Sequence, residues 1–102
     1  MTLHEQWVAL VAYAHQHGLT VKLVPCEQVH DYAAMNPEAG KVMGVPISKN
    51  EIWIDRSLSK AEQVRDLRHE LVEMNLMKEG KKYWDAHCLA LKREAQNCRR
   101  LR

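Results

Sequence analysis

Arg68-His69-Glu70-Leu71-Val72-Glu73 is the stretch that decides how this chain is read, and Gly80 and His87 further on complete it. On an α-helix of about 3.6 residues per turn, His69 and Glu73 stand four apart and share a face, while Glu70 lies about 100° round from His69. The helix is bounded at its start, because Ser59 with Glu62 has the spacing of a capping box. Val64, Leu67, Leu71 and Met74 then repeat as an apolar stripe that faces a core. The pattern predicts a helix over 59–78, with His69 and Glu73 at the border of that stripe. Glu79-Gly80-Lys81 turns the chain, and Tyr83, Trp84, His87, Leu91 and Glu94 mark a return helix within 81–102. Glu73 lies seven residues before Gly80 and His87 seven after it. At about 1.5 Å of rise per residue the two come level across an antiparallel helix pair.

That register assembles a metal site. In the motif H-E-x-x-H two ligands one turn apart grip a zinc ion, and the Glu between them holds the attacking water. Here Glu73 occupies the second ligand position. His69, Glu73 and His87 make a His₂Glu set, the composition that catalytic zinc sites use with a fourth position open. Glu70 is then the candidate general base. Tyr83, about one turn ahead of His87, is the nearest candidate to stabilise an oxyanion. Glu94, two turns beyond His87 on nearly the same face, is either a partner that orients a ligand or a ligand itself. Cys88 points about 100° away from its neighbour His87 and is not counted. The plain alternative is a solvated His–Glu pair on a surface helix, and His87 in register is what favours the metal.

The run Glu51-Ile52-Trp53-Ile54-Asp55, then Ser57-Leu58-Ser59, then Leu67 to Glu73, resembles the strand, cap and active helix of zincin-type metallopeptidases. It is most similar to the small intracellular ImmA/IrrE-like proteins of bacteria and mobile elements. The resemblance covers residues 50–94, roughly half the chain. It implies His69 as ligand and Glu70 as general base, with Glu73 where the usual motif has His and His87 where a third ligand from a following helix would come. It also implies a peptide or protein substrate, held by backbone hydrogen bonds to an edge strand, a mode that needs no particular side chain.

The remaining properties set the frame. A chain of 102 residues, 46% hydrophobic and 27% charged, is one domain with one modest core and no sign of disorder. No apolar run approaches the roughly 18 residues of a membrane span, and the N-terminus lacks a signal-peptide pattern, which points to the cytoplasm. Cys26, Cys88 and Cys98 are odd in number and have no C-x-x-C spacing, so neither a disulfide framework nor a thiolate zinc knuckle is indicated. Residues 78–102 carry eight basic and three acidic side chains, against seven and ten in 1–77. Such asymmetry can mark nucleic-acid contact, but the tail Arg99-Arg100-Leu101-Arg102 is short, and cations at a helix C-terminus are expected from the helix dipole alone.

Upstream, Thr2 with Glu5 predicts a capped helix over 2–17, carrying Leu3, Trp7, Leu10, Val11 and Ala14 on one face and stopped by Gly18. His4, His15 and His17 read as surface. Leu19 to Val24 reads as a strand ending at Pro25, Glu27 to Met35 as a short helix with His30-Asp31 at its surface, and Asn36 to Gly40 as a turn-rich break. Lys41 to Ile47 and Glu51 to Asp55 read as two strands, Pro46 placing the first at an edge. The expected fold is α+β: an N-terminal helix, a small, mostly antiparallel sheet and an antiparallel C-terminal helix pair bearing the metal site. The expected function is a small zinc-dependent hydrolase of the peptidase type. The alternatives are a metal-binding or interaction domain without turnover and, ranked below it, a nucleic-acid-binding accessory protein. The oligomeric state is not readable from the sequence.

Overall fold

The computed structural model describes residues 1–30 and 32–100, with side chains through residue 93. The order is α1 (Leu3–Gln16), β1 (Thr20–Val24), a 3₁₀ turn (Cys26–Val29), β2 (Ala34–Met35), α2 (Pro37–Met43), β3 (Glu51–Asp55), α3 (Lys60–Lys78) and α4 (Tyr83–Arg100). The fold is α+β.

Both expected capping boxes are present. The Thr2 hydroxyl accepts from the Glu5 amide at 3.1 Å and the Ser59 hydroxyl from the Glu62 amide at 3.2 Å, with each glutamate returning a bond to the cap backbone. Gly18 follows α1 at φ +76°, a left-handed conformation that glycine adopts without strain.

β3 is the middle strand, with Ile52 and Ile54 fully buried. The sheet is mixed rather than mostly antiparallel: β1 runs parallel to β3 from Thr20↔Glu51 to Val24↔Asp55, and only β2 is antiparallel, through Ala34↔Ile54 and Met35↔Trp53. A parallel neighbour requires a long crossover, and residues 25–50 supply it. α1 and α3 pack against each other, α1 also on β1 and α3 also on β3. Ala14, Leu19, Ile52, Ile54, Leu67 and Leu71 close the main core between them. Removing one of these leucine or isoleucine side chains from water stabilises the fold by about 1.5–3 kcal/mol.

Two local expectations are corrected. The helix expected over Glu27 to Met35 is only the 3₁₀ turn followed by β2. Lys41 to Ile47 is not a strand: its first part belongs to α2, and residues 45–48 form an irregular loop in which the Ile47 amide donates to the Val45 carbonyl at 2.9 Å. Capping outweighs the apolar alternation there. The Asn36 side chain accepts from the Ala39 amide at 2.9 Å, Pro37 stands in the first turn where its missing N–H costs nothing, and Gly44 ends the helix at φ +75°. α2 folds back tightly on its own exit, the Val45 amide donating to the Gly40 carbonyl at 2.9 Å. A second cluster forms there from Met35, Ala39 and Val45, with Trp53 and Tyr83 packed against it.

Candidate metal centre

α3 buries more than its apolar stripe. Val64, Leu67 and Leu71 face inward as amphipathic spacing requires, yet Glu70 and Glu73 on the same helix are also buried, Glu73 to 0% exposure. Two buried carboxylates on one helix need donors or positive charge nearby. Glu73 has three partners. Its Oε2 lies 2.9 Å from His69 Nε2, one helical turn back, and 3.0 Å from His87 Nδ1 on α4. Its Oε1 accepts a 3.0 Å hydrogen bond from Asn36 Nδ2. The same Asn36 amide nitrogen donates to Glu70 Oε2, also at 3.0 Å.

The turn after α3 does what the spacing requires. Gly80 takes φ +102°, its amide donates to the Met77 carbonyl and that of Lys81 to the Leu76 carbonyl, and α4 returns along α3 with Ala86 and Ala90 buried. His87 thereby reaches Glu73. His69 Nε2 and His87 Nδ1 are 3.4 Å apart, with the rings edge-on at 79°. His69, Glu73 and His87 thus form a group of three ligand atoms able to hold a metal ion. Separations of 2.9, 3.0 and 3.4 Å suit the donor set physically. Ligands about 2.0–2.1 Å from a tetrahedral zinc lie about 3.3 Å from one another.

A cleft of about 360 Å³ opens beside the three, lined by His69, His87, Glu70, Tyr83, Trp84 and Tyr32 and floored by Ala34, Met35, Ala39 and Met43. The Tyr83 ring stacks on His87 at 5.7 Å, and Trp84 meets the same imidazole edge-on at 6.0 Å. Burial first, and the neighbouring Glu73 charge second, push the Glu70 carboxyl well above the ordinary carboxylate range. Burial would raise Glu73 too, but hydrogen bonds from His69, His87 and Asn36 outweigh it and hold that carboxyl below its usual value. Burial and the two carboxylates push the Tyr83 phenol up, so it remains a proton donor at any working pH.

Comparison with protein-family models, curated proteins and solved structures gave no match to this chain. The site is read from its own residues.

Five of the residues singled out in the sequence meet here: His69, Glu70, Tyr83 and His87 line the cleft, and Glu73 is buried behind it in contact with both imidazoles. Asp31 and the Glu94 side chain lie outside the described residues, as do the tail side chains Arg99 to Arg102. His30 ends the 3₁₀ turn in a left-handed conformation and is not part of the ligand group. Sequence reasoning missed Asn36. Asn followed by Pro is a helix-start signal and would have revealed its capping role, but its contacts 34 and 37 residues away leave no local trace. No helix among the described residues is long and apolar enough to cross a membrane.

Proposed function

We propose that His69, Glu73 and His87 hold one zinc ion and that the protein is a small cytoplasmic zinc-dependent hydrolase acting on peptide or protein amides. The observation that carries this is the 2.9–3.4 Å triangle of two imidazole nitrogens and one carboxylate oxygen, whose histidines line a cleft together with Glu70 and Tyr83. Zinc bound by such a set supplies Lewis-acid polarisation of a carbonyl and of a water.

The chain's own residues supply the rest. His69 and His87 give lone pairs through Nε2 and Nδ1, and Glu73 brings the negative charge that favours a divalent cation over a monovalent one. Glu70 lines the cleft next to His69 and Tyr83, placed to take a proton from a water there and pass it to the departing amine. The Tyr83 phenol donates a hydrogen bond to the oxygen on which negative charge develops. Met35, Met43 and Trp84 give the cleft an apolar wall beside these polar groups.

Zinc content by elemental analysis and melting temperature with and without zinc test the reading. One zinc per chain is expected, raising the melting temperature, and both effects vanish in His87→Ala. No zinc and no thermal shift in the wild type would sink it. A metal-binding domain without turnover is the second reading, favoured by Glu70 being nearly buried and tied to Asn36. Zinc uptake with no hydrolysis of unfolded protein substrates would select it.

A further inference from the structure

We propose that Asn36 is the positioning residue of this centre, setting one carboxylate as ligand and the other as base; the inference rests on the zinc reading above. Asn36 is 0% exposed, and both hydrogens of its side-chain amide nitrogen are committed to hydrogen bonds. Its Oδ1 accepts from the Ala39 amide at the start of α2, which fixes the amide orientation and leaves Nδ2 to point at α3. From Nδ2, one hydrogen bond goes to Glu70 Oε2 and one to Glu73 Oε1, each 3.0 Å long.

Two consequences follow from that fork. Glu73 is held by Oε1, so only Oε2 faces the two imidazoles, and the carboxylate offers a single ligand atom. Glu70 is tied by Oε2 to the same nitrogen, so it cannot swing toward the imidazoles and compete as a ligand. Side chains that orient a metal ligand in this way typically contribute 10–100-fold to metal affinity. Helix α2 thus serves the centre without lining up any ligand of its own: its capping residue is the clamp, and β2, pairing with β3 at Met35↔Trp53, anchors the preceding residue.

The test is zinc titration against a chromophoric chelator for the wild type, Asn36→Ser and Asn36→Ala, with circular dichroism and melting of the metal-free proteins. Serine keeps an oxygen able to cap α2 but lacks the forked donor. If Asn36 acts only as a cap, Asn36→Ser binds zinc like the wild type and only Asn36→Ala loses stability. If it positions the carboxylates, both variants lose affinity by about 10–100-fold, and the cobalt(II)-loaded Ser variant shows the weaker visible bands of a site with more than four ligand atoms. A folded Asn36→Ser within twofold of wild-type affinity overturns the inference while leaving the zinc reading intact; a wild type that takes up no zinc overturns both. Should Asn36→Ser not fold, the wild-type side-chain amide signal of Asn36 decides. It should exchange far more slowly than that of exposed Asn50 and shift on adding one equivalent of zinc; fast exchange or no shift overturns the role.

Discussion

Glu70 and Glu73 are chemically identical, stand three residues apart and are both buried, yet their surroundings separate them. Glu73 is held below the ordinary range by two imidazoles and an amide, whereas Glu70 is raised by burial and by Glu73 itself. Glu70→Gln therefore keeps zinc while lowering any hydrolysis by about 10²–10⁴-fold, and Glu73→Gln loses the ion. Zinc occupancy of the two variants side by side checks this, and the reverse pattern would refute the ligand set. The ligand residues were legible because a histidine and a glutamate one turn apart are a local pattern, and a seven-residue count on either side of Gly80 brings His87 to them. Asn36 was not, since nothing in the neighbourhood of Asn36-Pro37 reports what α3 holds.

At the scale of elements, the two helices with capping boxes were read correctly, whereas α2, bounded by Asn36, Pro37 and Gly44, and the short strand β2 were not. Thr2 with Glu5 and Ser59 with Glu62 fix α1 and α3 whatever packs on them, so Ser59→Ala should cost about 1 kcal/mol in chemical denaturation. Glu62 adds a pH signature. Its carboxyl is lowered from 4.5 by the Ser59 hydroxyl and backbone, so the folded chain binds a proton less readily than the unfolded one. This contribution is complete above pH 4.5 and is lost as pH falls through the lower folded value. The stability gap between wild type and Glu62→Gln should accordingly narrow on acidification below that point, as melting at a series of pH values would show. β2 spans two residues and has no periodicity to detect, while Val42, Val45 and Ile47 mimic a strand although Asn36, Pro37 and Gly44 enforce a helix. Gly40 makes that helix possible. A Cβ there would stand 2.7 Å from the Val45 carbonyl oxygen, so Gly40→Ala should destabilise by about 1–3 kcal/mol in the same assay.

Across the whole molecule, the candidate centre joins parts that the core joins only in part. The main core ties α1, β1, β3 and α3, whereas α4 meets the rest chiefly along α3. An ion gripped from both helices would hold α4 in place, and free zinc at 100 times its dissociation constant would stabilise the fold by about 2.7 kcal/mol. Thermal melting with zinc, then with excess chelator, should show the gain and its reversal in the wild type and neither in Glu73→Ala. Leu67, fully buried under α1 and β3, reports on the other half of the molecule. Leu67→Ala should cost about 2–5 kcal/mol whether or not zinc is present.

The short turn at Gly80 carries a consequence of its own, because the partnership of Glu73 and His87 depends on the number of residues between them and not only on their identities. One residue inserted at the start of α4 would rotate His87 by about 100° and displace it by about 1.5 Å, leaving every ligand in the sequence and none of the geometry. Chain length between 73 and 87 is therefore as inheritable a part of the centre as the histidine itself, and a kindred sequence with a different spacing there would be a lookalike without the chemistry.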